Sequence, residues 1–157
     1  MSDVDLDDAL DAPETSSAPV FALRSQYIKD LSFESPRAPA SLFTTREAPN
    51  VEVTVNLAAQ RLEAQAVELA FHINVRAIAD KNTLFLVDLV YAGILEIRNI
   101  ADEALEEAIF VRGAQQLFPF ARRVVADLTR DSGFPPVMLE TMDFDAMYAA
   151  QKNRSVH

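Results

Sequence analysis

Few side chains in this sequence are equipped for chemistry, and their spacing assembles none of them into a reaction centre. The histidines are His72 and the terminal His157, there is no cysteine, and the glycines Gly93, Gly113 and Gly133 stand far apart. A zinc site built from nitrogen and sulfur ligands lacks material, and no glycine-rich loop is available to cradle a phosphate. Glu52, Glu68 and Asp88 could act as acid–base carboxylates, but no spacing brings two of them beside a third polar group. His72 shares a strand face with Glu68 and Arg76, which reads as a solvated surface. No catalytic residue, metal or cofactor is expected; the chain reads as a protein of surfaces rather than of bond-making.

The remaining composition narrows the class. At 157 residues, 50% of them hydrophobic, the chain suits one domain with a real core. Asp and Glu outnumber Lys and Arg by 24 to 14, a net charge of -10, which argues against a nucleic-acid partner and favours basic ones. The lack of cysteine suits a reducing cytosol. No apolar run approaches the ~20 residues of a membrane span, and the start lacks the basic flank and apolar stretch of a signal peptide. A cytoplasmic protein without direct membrane insertion is expected.

The elements that would carry such surfaces follow from periodicity. Residues 1–19 hold Asp3, Asp5, Asp7, Asp8, Asp11 and Glu14 without a basic residue, the pattern of a disordered acidic tail. From Val20 a strand begins, with Phe21, Leu23, Tyr27, Leu31 and Phe33 on one parity and a bulge expected near Lys29. Ala40 to Pro49 reads as a loop. Val51–Leu57 and Val67–Ala77 alternate cleanly as the second and third strands. After a turn at Asp80, Lys81 and Asn82, the stretch from Asn82 to Ile97 is apolar on both faces apart from Asp88, with Gly93 expected to break or bend it. Each apolar face exposed would cost ~25 cal/mol per Å², so cover must come from the chain's own helices or from a partner.

From Asp102 to Asp131 the period changes to that of a helix, with Leu105, Ile109, Leu117, Phe120, Ala121, Val124, Val125 and Leu128 on one face. Pro119 should kink it, Ser132-Gly133 should stop it, and Asp143 can cap a short second helix. Strands first and helices last predict an α+β fold: a four-stranded antiparallel sheet with one long helix and a short C-terminal helix packed on one side. The domain is placed at 20–152, with 153–157 as a flexible C-terminus.

Three segments together resemble the SecB protein-export chaperone family. They are Tyr27-Ile28-Lys29-Asp30-Leu31-Ser32-Phe33-Glu34-Ser35-Pro36, then Thr83-Leu84-Phe85-Leu86-Val87-Asp88 with Gly93-Ile94, then Leu117-Phe118-Pro119-Phe120-Ala121-Arg122 with Gly133-Phe134-Pro135 and Asp143-Phe144-Asp145-Ala146. The resemblance implies an ATP-independent chaperone that keeps unfolded precursor proteins export-competent and delivers them to the SecA ATPase. It also implies a homotetramer, a dimer of dimers. By the same resemblance, SecA contacts fall on Asp30, Glu34, Leu86 and Asp88. Client binding or the tetramer interface falls on Phe85, Val87, Leu89 and Tyr91, with Leu42 and Phe43 at the groove. Some members carry a tryptophan in the loop before the second strand, and this chain has none. Two alternatives stand beside this reading: a SecB-like chaperone dedicated to one client such as a toxin–antitoxin pair, and a hot-dog-type thioesterase.

Overall fold

The computed structural model describes residues 17–44 and 48–155; most of the acidic tail, residues 1–16, lies outside them. Four strands, β1 (Val20–Glu34), β2 (Asn50–Glu63), β3 (Ala66–Ala79) and β4 (Asn82–Arg98), form one antiparallel sheet in the order β1-β4-β3-β2. A short helix α1 (Ala40–Thr44) occupies part of the expected loop. The long helical region runs as α2 (Asp102–Glu107), a wide π-turn (Ala108–Gly113) and α3 (Ala114–Asp131), and α4 (Phe144–Ser155) closes the described chain, past the boundary expected at residue 152.

Local chemistry explains the joints. Asp80 and Lys81 both take positive φ, 52° and 66°, the twist that a two-residue turn between antiparallel strands requires. Gly133 sits at φ 89° just past α3, where a side chain would be strained, and the Phe134 N–H returns to the Thr129 carbonyl at 3.2 Å. Asp143 caps α4 by accepting from the Ala146 N–H at 3.0 Å. The stretch after Leu57, weakly periodic in sequence, continues β2 and turns tightly into β3.

Odd-numbered residues of β3, and of β4 from Phe85 on, point to the helices and form the core, and even-numbered ones point away; a register shift at the start of β4 reverses the parity there, so that Leu84 is buried in the core. Phe71 packs against Phe118 and Phe144, which also touch each other, with ring centroids 5.6 to 5.9 Å apart, so sheet, α3 and α4 meet at one aromatic cluster. Phe118, not Phe120, is the buried member of its pair. The π-turn lies upstream of Pro119 and shifts the helix face by about one residue relative to an unbroken 3.6 period.

Two expectations for the strands change. β4 is not broken at Gly93: pairing continues through Gln26↔Gly93 and Ser25↔Ile94. A Cβ there would sit 2.7 Å from a Leu23 methyl and 3.0 Å from a Leu117 methyl, so the glycine admits the helix to the sheet. β1 carries two bulges rather than one, at Arg24 and at Lys29. Each extra residue reverses the parity that follows. Phe21 and Leu23 therefore face the helices, Tyr27 faces away, and Leu31 and Phe33 face the helices again.

Candidate functional site

The sheet has a helix-covered face and an open face, and the open face is built row by row from the register. One row across the strands reads Asp30–Val90–His72–Asn56, the next Ser32–Asp88–Asn74–Thr54, and the third Glu34–Leu86–Arg76–Glu52. Asp30, Glu34, Leu86 and Asp88, separated by more than fifty residues along the chain, thus lie on adjacent strands within two rows of one another. Glu34, Glu52, Arg76, Leu86 and Asp88 border one shallow depression of about 330 Å³. Leu86 is 37% exposed within it.

Charge pairing divides this face into two halves. At the far end Glu68 accepts from the Tyr27 hydroxyl and, at 2.7 Å, from Lys29 Nζ. Glu96 pairs with Arg24, and with Arg98 at 2.9 Å. Both bulges of the edge strand therefore turn a cation outward onto a carboxylate of another strand: Arg24 ties β1 to β4, and Lys29 reaches across β4 to β3. In the near half, none of Asp30, Glu34, Glu52 and Asp88 has a basic side chain within 4.0 Å among the described residues. That half, with four carboxylates beside Arg76, is net acidic.

Hydrogen bonds from Lys29 and Tyr27 hold the Glu68 carboxyl below its ordinary 4.5, against the burial that pushes it up. Burial first, then the bond to Glu68 and its charge, push the Tyr27 hydroxyl up to about 12. A lowered carboxyl contributes stability above its ordinary value and loses it as pH falls through the folded value; a raised phenol loses its share as pH rises from 10 toward 12. Glu68→Gln should cost about 1–3 kcal/mol at neutral pH, and the gap to the unmodified protein should narrow toward pH 3. Urea unfolding at both pH values measures this; an equal gap at the two would refute it.

The second feature is an apolar groove of about 1100 Å³ between β2 and the segment leading to α4. Its floor is Val51, Val53 and Val55 with Phe85, and its wall runs from Phe134 to Met142. Phe85 underlies the wall at Phe134, their rings 4.8 Å apart, and stacks on Phe33 at 5.9 Å. The wall is fixed to the helix by Thr129, fully buried, whose hydroxyl donates to the Val125 carbonyl at 2.9 Å and accepts from the Val137 N–H at 2.9 Å. Leu42 packs against Gly133, where the wall begins, while Phe43 on the same short helix is 85% exposed.

Of the residues expected to bind clients or build the tetramer, Phe85 borders the groove but is buried beneath Phe134, and Val87, Leu89 and Tyr91 lie equally buried under the chain's own helices. The β2 valines and the 134–142 wall escaped the sequence reading. Their signal was the run Phe134-Pro135-Pro136-Val137-Met138-Leu139, apolar yet without strand or helix period, as an extended wall requires. No group of three His, Cys, Asp or Glu able to hold a metal ion occurs among the described residues, and no helix there is long and apolar enough to cross a membrane.

With this geometry in place, comparison with known proteins is decisive. The sequence model of the family described as preprotein translocase subunit SecB matches residues 14–155. The chain belongs to the SecB family. A protein-export protein SecB of Novosphingobium aromaticivorans is 39% identical over 151 residues, covering 96% of this chain and 87% of the relative. Another, from Parvibaculum lavamentivorans, is 41% identical over 135 residues, covering 86% and 80%. Among solved structures, a Mycobacterium tuberculosis SecB-like chaperone in complex with an antitoxin peptide superposes with a TM-score of 0.65 at 19% identity, covering 78% of this chain and 91% of that one. The shared fold is the four-stranded antiparallel sheet with helices. SecB proteins are protein-export chaperones, not enzymes, and the chain is one of them. The thioesterase alternative falls with that membership, and of the three carboxylates considered for acid–base work Glu68 is engaged by Lys29 and Tyr27.

Proposed function

We propose that this SecB chain is an ATP-independent cytoplasmic holdase for unfolded precursor proteins, working as a dimer of dimers and passing its clients to SecA. The observation that carries the client half of this reading is the open groove between β2 and the Phe134–Met142 wall. It is largely apolar and floored by exposed valines, so it suits many sequences rather than one side chain. Burying about four client side chains yields roughly 6–12 kcal/mol gross, and ordering a flexible client offsets several kcal/mol or more of it. A client wrapped over several grooves of an oligomer gains the rest through effective concentration. The delivery half rests on Asp30, Glu34 and Asp88, not ion-paired among the described residues, around exposed Leu86, a surface suited to a basic segment of SecA.

The test is aggregation of several unrelated, chemically unfolded proteins with and without this chain, in buffer lacking ATP, with native mass read on the same samples. Suppression near one tetramer per client is expected. Unchanged aggregation of every client beside an intact tetramer would exclude general holdase activity and leave a dedicated client in its place.

A further inference from the structure

The cations on the open face are not alike. Arg24 and Arg98 are paired with Glu96, and Lys29 with Glu68. Arg76 is not: its guanidinium bonds only the Thr83 hydroxyl, at 3.2 and 3.4 Å, and no carboxylate lies within 4.0 Å of it among the described residues. The register nevertheless sets it between Leu86 and Glu52 in the row that begins with Glu34, and it borders the same depression as Glu34, Glu52 and Asp88. Glu52 is its direct cross-strand partner, yet the arginine turns from it toward the β3–β4 turn.

We propose that Arg76 tunes the affinity of this face for its basic partner, as an unneutralised positive charge set among the acids that the partner must engage. The inference rests on the reading of the face as the SecA surface. Neighbouring strands lie ~4.8 Å apart, so a cation docking beside Leu86 or on Glu52, on the strands either side of Arg76, comes well within the ~8 Å screening length. Its repulsion weakens the complex without touching the fold. A chaperone that must let go of SecA after delivery is served by such a limit on affinity. Glu52, on the third strand of the same row, is by the same geometry a further attractive contact beyond those on β1 and β4.

The experiment is titration of purified SecA onto the full-length protein at low and at high salt, comparing Arg76→Gln, Arg76→Lys and Glu52→Gln with the control pair Asp30→Asn, Glu34→Gln. Arg76→Gln should bind about threefold more tightly at low salt, with the gain lost at high salt, as one exposed charge contributes. Arg76→Lys should bind like the unmodified protein, showing that charge and not the Thr83 bond is responsible, and Glu52→Gln should bind about threefold more weakly. If the control pair weakens binding while Arg76→Gln leaves it unchanged or weaker, the tuning role is refuted and the acidic face stands. If neither the control pair nor Arg76→Gln moves the affinity, the face itself is not the SecA surface, and the inference goes with it.

Discussion

Leu89→Asp should abolish cooperative folding, while Leu86→Asp, three residues away on the same strand, should leave the unfolding midpoint nearly unchanged. Leu89 is 1% exposed and lies in the cluster shared by the sheet and the helices. A carboxylate there would sit among apolar side chains, and burying it uncompensated costs several kcal/mol or more, added to the ~2–5 kcal/mol of the lost leucine. That approaches the ~5–15 kcal/mol by which an ordinary domain is stable. Leu86 points to the opposite face, where a polar substitution falls within about 0.5 kcal/mol. For Val87 and Leu89 the consequence of a charge therefore begins with the fold of one chain, before any assembly is at issue. Circular dichroism during urea unfolding reads both variants, with Leu89→Ala as a milder version that stays foldable. A Leu89→Asp protein with the unmodified midpoint would mean that this face of β4 is not the core.

The triple reversal Asp30→Lys, Glu34→Lys, Asp88→Lys should reduce SecA affinity at least about fivefold at low salt. Each exposed pair contributes only ~0.2–1 kcal/mol. Reversal replaces each attraction by a repulsion, so three together reach about 1–6 kcal/mol, against the ~1.4 kcal/mol that equals a factor of ten. Because none of the three carboxylates is ion-paired among the described residues, their loss should hardly move the unfolding midpoint. Binding by the unmodified protein should itself weaken as salt rises. Full-strength SecA binding by a folded triple variant would rule out this surface as the point of delivery.

Much of this protein was legible in its residues. The alternation of Val67, Leu69, Phe71, Ile73 and Val75 identified the buried side of β3, because period-2 spacing fixes which side chains share a face; in β4, apolar on both faces, the same spacing grouped Phe85, Val87, Leu89 and Tyr91 without showing that the chain's own helices cover them. The hairpin turn at Asp80-Lys81, the Ser132-Gly133 stop and the Asp143 cap were each written in a few adjacent residues. The three family-like segments carried the function. What the tertiary structure alone decided depends on partners distant in sequence. A bulge is a relation between two strands, so the one at Arg24 was invisible in β1 alone, and it turned Tyr27 to the opposite face from that expected. Glu68 is a tie between strands only because Tyr27 and Lys29 meet it from across β4. The groove needs the valines of β2 beside a wall about eighty residues further on, and Arg76 stands among acids only through the register of all four strands. Spacing along the chain sets which face a side chain joins; which other side chains it meets there is set by strand order and register, and these follow from how the whole core closes.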